Sequence, residues 1–249
     1  MRPIWTIAKR EILSFFVSPI AYVVLLAWML FSGTSFYYLW SWYATQTARN
    51  ASQNPLSAFF GGSLLFFIPL LVFAPVMTMR LISEERRSGT IESLLTAPIS
   101  ATQVVLGKYL ASLVFWITLW IPTLLYVWLT SRFGDVDPGV LAATYLGVLG
   151  IGLHYMAIGL LMSAVSRNQI VASLLTFLVL GMLFAIGLGS FFVEDESTRS
   201  VFEYVSVWAH MEAFAKGIVD SRYIVYDLSI TALALLLAVL AVSSRRRHA

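Results

Sequence analysis

Six apolar stretches, at about residues 19–40, 59–79, 104–130, 140–165, 170–192 and 228–243, restrict this 249-residue chain to a bundle of membrane-spanning helices. A helix needs about 20 apolar residues to cross the hydrocarbon core, because each residue advances it by only about 1.5 Å. In hydrocarbon every backbone N–H and C=O must be satisfied within the span, which makes such stretches helical. The composition agrees: 59% of residues are hydrophobic and 12% are charged, about half the charge of an ordinary soluble domain. The expected fold is an all-α integral membrane protein, one transmembrane domain over residues 1–249 with no nucleotide-binding domain. Arg2, Lys9 and Arg10 precede the first stretch as in a signal peptide. The run from Ile20 to Leu39 is longer than the ~7–15 residues of such a segment, and no cleavage site follows, so it is read as a retained span.

Orientation follows from the basic residues. With six spans, both termini share a side. That side holds eleven Lys and Arg residues, Arg2, Lys9, Arg10, Arg80, Arg86, Arg87, Lys108, Arg167, Arg245, Arg246 and Arg247. The other side holds five, Arg49, Arg132, Arg199, Lys216 and Arg222, together with nine of the thirteen acids. Both termini and the loop after the second span are therefore expected in the cytoplasm. Tyr37, Tyr38, Trp40, Trp42 and Tyr43 suit the aromatic belt at the outer end of the first span.

Several local patterns add to this plan. Ile4, Ile7, Ala8, Ile12 and Phe15 recur at helical spacing, with Thr6, Lys9, Arg10 and Ser14 on another face. The reading is an amphipathic helix in the cytoplasmic interface that turns at Ser18-Pro19. Pro69, Pro75 and Pro122 are expected to kink the second and third spans. Gly181, Ala185 and Gly189 form a stripe of small residues on the fifth span that lets another helix approach closely. Between the fifth and sixth spans, Val201, Phe202, Val205, Trp208 and Ala209 recur at helical spacing. Glu203, His210, Glu212 and Lys216 argue against a seventh span there, so one or two short helices dipping into the outer leaflet are expected.

The sequence also excludes chemistries. Without cysteine there is no disulfide, thiolate metal site or cysteine nucleophile. His210-Met211-Glu212 lacks the spacing of a zinc protease motif, and Gly107-Lys108 is not a phosphate-binding loop, since residue 109 is tyrosine. No enzyme, cofactor or nucleic-acid partner is expected in this chain. Within the spans His154 is read as the one ionisable group, whereas ion-coupled transporters usually carry several. A lone histidine there is more often a packed core residue than a relay.

The loop after the second span carries the most information. Ser83 to Arg87 is a dense mixed-charge turn, Gly89 can supply the left-handed residue that ends a helix, and Ile91, Leu94 and Leu95 form a short apolar face opposite Glu92. Pro98 stops this piece, and Ser100-Ala-Thr-Gln103 is a capping box opening the third span. Four basic and three acidic residues between Arg80 and Lys108 exceed what topology needs and suit a surface facing another protein. The run Ser83-Glu-Glu-Arg-Arg-Ser-Gly-Thr-Ile-Glu-Ser-Leu-Leu-Thr-Ala-Pro-Ile, followed by Val105-Leu-Gly-Lys-Tyr, resembles the signature of ABC-2-type permeases. Within that family the chain is most similar to GldF-like and NosY-like permeases.

The resemblance implies the transmembrane half of an ABC transporter, an exporter by family default. Two permease copies, identical or related, would sit on separate ATPase subunits that bind ATP and Mg. Residues 83–95 would be the coupling helix resting on the ATPase. Its turn would be Gly89 and Thr90, its polar contacts Ser83, Glu84, Glu85, Arg86, Arg87 and Glu92, and its anchors Leu94 and Leu95. The second and fifth spans would lie at the dimer axis. Two other readings stay open from the residues: a self-sufficient channel or secondary transporter, and a membrane scaffold for an ATPase complex.

Overall fold

The computed structural model describes residues 2–45, 55–89 and 99–246, and among these every regular element is helical. The chain opens with α1 (Arg2–Val17) and α2 (Pro19–Thr45), followed by α3 (Pro55–Gly61), α4 (Leu64–Thr78) and the short α5 (Ser83–Arg87). Then come α6 (Ala101–Trp120), α7 (Leu124–Ser131), α8 (Pro138–Val165) and α9 (Gln169–Leu188). The segment after α9 forms α10 (Glu196–Val205) and α11 (Val207–Ala215), and α12 (Ser221–Arg246) completes the bundle. Among the described residues, five helical runs are long and apolar enough to cross a membrane, and the pair α3–α4, bent by 45°, makes a sixth if counted as one span.

Local chemistry explains most of the boundaries. Ser100 and Gln103 form the expected capping box at the start of α6. Asp137 accepts from Gly139 N at 2.7 Å and Asn168 from Ile170 N at 2.9 Å, so a short polar side chain opens α8 and another opens α9. Pro122 interrupts the third span through a 3₁₀ turn, Ile121–Thr123, between α6 and α7. Pro69 and Pro75 both lie inside α4. The bend of the second span comes instead at Gly62-Ser63, where the Ser63 hydroxyl accepts from Leu65 N at 3.1 Å and starts a new helix.

One boundary differs from expectation. The last span begins at Ser221 rather than near residue 228, because Asp220 takes the N–H of Arg222 at 2.8 Å and opens the helix a full two turns earlier. The segment between the last two spans folds, as expected, into short helices, two of them: Ser206 ends α10 and its hydroxyl accepts from Ala209 N at 3.3 Å to begin α11.

Packing is organised around α8, which touches α4, α6, α9, α11 and α12. Close approach comes from glycine: an added methyl at Gly147 would meet the Phe214 ring at 2.8 Å, one at Gly152 would strike Trp116, and one at Gly159 would strike Thr78. Trp116 occupies that space with its indole N–H donated to Val148 O at 3.1 Å. Next to it lies an aromatic core of Trp28, Phe60, Phe66 and Trp120, with the Trp28 and Trp120 rings 4.8 Å apart, edge to face. The Ile7, Ala8 and Phe15 face of α1 is buried, with Phe15 stacked on Phe115 of α6 at 5.1 Å, while Trp5, Leu13 and Val17 stay exposed. Substituting Gly152→Ala should lower stability by about 1–3 kcal/mol, the usual cost of overpacking. Gly134→Ala, where no atom lies within 4 Å, should be near neutral; thermal unfolding in detergent separates the two.

Candidate functional site

Two ionic clusters stand out in the bundle, one beside α5 and one between α8, α11 and α12. At the first, Lys108 of α6 is only 1% exposed. Its ammonium donates to Glu11 Oε1 of α1 at 2.7 Å and lies 2.9 Å from Glu85 Oε1 of α5. Arg10 sits on the rim, 3.3 Å from Glu11 and 3.5 Å from Glu85. Arg80 donates to Ser18 Oγ at 3.0 Å and lies over the Phe15 ring, fixing the turn between α1 and α2. These groups surround a cavity of about 420 Å³.

The opposite side of α5 is fastened to the end of α8. Ser163 Oγ accepts from Ile82 N at 3.0 Å and Ser83 N at 3.1 Å, and donates to Met79 O at 3.0 Å. Arg86 Nη1 donates to the carbonyls of Ala164 and Ser166, the latter at 3.1 Å. These are final carbonyls of α8, where the helix has its partial negative charge, so a guanidinium is well placed. Gly89 has φ +73°, the left-handed conformation expected after the helix.

Among the residues assigned to an ATPase contact, Ser83 is buried and Glu85 and Arg86 are engaged within the chain, whereas Glu84, Arg87 and Gly89 are exposed. Thr90, Glu92, Leu94 and Leu95 lie outside the described residues. On α9, Gly181 faces open space and Ala185 is exposed, while Gly189 packs under the Phe202 ring.

The second cluster corrects the expectation that His154 is the single ionisable group at membrane depth. Its Nδ1 is 3.0 Å from Asp227 Oδ1, and 3.1 Å from Gly150 O. His210 Nδ1 stands 3.8 Å from the same carboxylate oxygen, and its Nε2 donates to Tyr204 O at 3.0 Å. Asp227 fits because Gly150 has no side chain there. His210 stacks on Tyr223 at 4.1 Å and meets Tyr226 edge to face. The sequence boundaries leave His210 and Asp227 outside the spans, in the segment between the fifth and sixth. The available signals were Asp220, a cap seven residues ahead of Asp227, and the buried Val207, Met211 and Phe214, which put His210 on an inward face. Lys108 lay inside the third span by its own boundaries and was likewise counted only as a topological charge. No group of three His, Cys, Asp or Glu among the described residues has the arrangement to hold a metal.

Lys108→Met should destabilise the chain, by less than the roughly 3–5 kcal/mol of a fully uncompensated buried charge, because it leaves the two carboxylates with only the exposed Arg10 guanidinium between them. Adding Glu11→Gln and Glu85→Gln to that variant should recover most of the loss, measured as detergent thermal stability.

Compared with known families, residues 39–244 match the model of the ABC-2 family transporter proteins. No curated protein matches the chain. The match runs from the end of α2 to the end of α12 and so takes in nearly the whole bundle, α5 included. The chain therefore belongs to the ABC-2 transporter family, multi-pass membrane proteins that associate with an ABC ATPase and are not themselves the catalytic part.

Proposed function

We propose that the chain is the permease subunit of an ATP-driven exporter and that α5 receives the movement of a separate ATPase subunit. The observation that carries this reading is the division of charge on α5. Glu84 and Arg87 are exposed, while Glu85 and Arg86 are tied to the rest of the bundle. A segment that must take force from one protein and pass it to another needs both kinds of contact. Exposed opposite charges fix register on a partner, and buried charge-assisted bonds are the stiff ones.

In this account Glu84 and Arg87, with Gly89 shaping the turn, meet the ATPase, which binds ATP and Mg. Thr90, Glu92, Leu94 and Leu95 continue the contact by family resemblance. Ser83, Glu85 and Arg86 pass the displacement to α8 through Ser163 and to α1 and α6 through Lys108. A second permease copy, identical or related, completes the pathway, and the open face at Gly181 and Ala185 suits close helix approach. Both termini and α5 face the cytoplasm of a bacterial inner membrane, α1 lies along the interface, and α10–α11 close the outer end. By the resemblance of residues 83–108, GldF-like and NosY-like permeases serve as a functional analogy.

The test is co-purification from mild detergent. Wild type should bring down a P-loop ATPase, Glu84→Ala/Arg87→Ala should lose it, and Glu11→Gln, on the far side of Lys108, should keep it. Equal recovery of the ATPase with the double variant, or no ATPase with wild type, contradicts the assignment.

A further inference from the structure

His154, His210 and Asp227 come from three helices and are closed to solvent, at 1%, 1% and 3% exposure. His154 lies sixteen residues after Pro138 and eleven before Val165 on α8. At about 1.5 Å per residue this is roughly 24 and 16 Å from the two ends, well inside a hydrocarbon core about 30 Å thick. His210 reaches this depth because α10 and α11 form a hairpin whose tip, Ser206, packs against Gly187.

The hydrogen-bond partners constrain where protons sit. His154 Nδ1 faces two acceptors, Gly150 O and Asp227 Oδ1, and so must carry hydrogen. His210 Nε2 faces the Tyr204 carbonyl and must carry hydrogen as well. A neutral His210 would then point the lone pair of Nδ1 at the Asp227 carboxylate. Attraction across that 3.8 Å gap requires one more proton, on the imidazole or on the carboxyl, and its titration belongs to the group as a whole. The same proton neutralises a carboxylate that would otherwise stand uncompensated in an apolar interior.

The neighbouring charges are committed elsewhere. On and beside the hairpin, Arg199 pairs with Glu203 at 2.9 Å and Lys216 with Glu212 at 2.5 Å. At the head of α12, Arg222 pairs with Asp220 at 2.7 Å, a hydrogen bond that holds the Asp220 carboxyl below the usual carboxylate range. The other titratable groups around the cluster are Tyr155 of α8, Tyr204 of α10, Tyr223 and Tyr226 of α12 and Tyr109 of α6, the last donating to Leu153 O. Tyrosines ionise near pH 10. The two imidazoles and Asp227 are thus the groups of the cluster that can share the extra proton.

We propose that Asp227 and His210, positioned by His154, form a proton-binding site that seats the α10–α11 hairpin in the bundle. When the hairpin lifts, the bound proton passes to water, Asp227 keeps its negative charge and His210 leaves as the neutral imidazole. The seated form holds one proton more than the lifted form wherever a solvated imidazole is neutral, above about pH 6.5. By linkage, seating is complete at lower pH and is lost as pH rises. The inference stands on this geometry and does not require the transport reading.

The chain has no cysteine, so single cysteines report without background. Val207→Cys, buried at the hairpin tip, and Phe133→Cys, 78% exposed on the outer loop, are placed separately in the full chain in lipid nanodiscs. Each is labelled with a water-soluble maleimide between pH 6 and 8.5. The ratio of the two rates cancels the thiol's own pH dependence. It should rise with pH by up to about tenfold per unit, the limit for one proton. Asp227→Asn, whose amide can donate to neutral His210, should flatten the ratio, and His210→Gln provides the same test if the first variant does not fold. A ratio independent of pH in the parent, or a slope unchanged in the folded variant, overturns the proposal.

Discussion

A cation buried as completely as Lys108 persists only if carboxylates reach it, and here they come from two segments distant in the chain, Glu11 of α1 and Glu85 of α5. Desolvating an ammonium is costly, and the two short contacts compensate only while both helices stay in place. α1, α5 and the first turns of α6 are therefore bound into one unit. The stacking of Phe15 on Phe115 and the Arg80–Ser18 bond close that unit around the turn into α2. On the other side, Ser163 and the terminal carbonyls of α8 hold the backbone and guanidinium of α5. A short helix that would be marginal alone is thereby fixed from both sides, with Glu84 and Arg87 free to face a partner.

α8 links the two ends of the molecule. Its last turn grips α5, its glycines accept Trp116 and Phe214, and its middle carries His154 to Asp227 and the hairpin. Apolar packing in a membrane is non-directional and gains nothing from excluding water, so register among helices rests on close steric contact and on hydrogen bonds. α8 supplies both. Ala164, whose carbonyl takes the Arg86 guanidinium, and His154, which meets Asp227, lie ten residues apart on α8.

Much of this plan was legible in the sequence. Long apolar runs give spans because hydrocarbon tolerates little else, and the Ser100 capping box and the left-handed Gly89 follow from local chemistry alone. The amphipathic face of α1 was equally visible, though not that it covers α6. What local pattern could not supply was pairing between distant segments. Asp227 read as the edge of a loop because a carboxylate normally ends a span; only the arrival of two histidines, one from a hairpin 17 residues earlier and one from α8, makes its burial tolerable. Lys108 read as a topological charge for the same reason, since its two partners lie 97 and 23 residues away. Glu85 and Arg86 shared the exposed-looking run of Glu84 and Arg87, and helical phase over five residues is too short to tell inward from outward.

The most direct test follows α5 during the ATPase cycle. Spin labels at Lys9→Cys on α1 and Arg87→Cys on α5, in the chain bound to its co-purified ATPase, report whether the two helices move together. A second pair, Arg87→Cys with Phe133→Cys in the exposed turn after α7, reports whether α5 moves at all. On ATP binding the first distance should stay constant while the second changes. A first distance that changes with nucleotide, or a second that does not, would contradict the account in which Lys108 makes α1, α5 and α6 a single moving part.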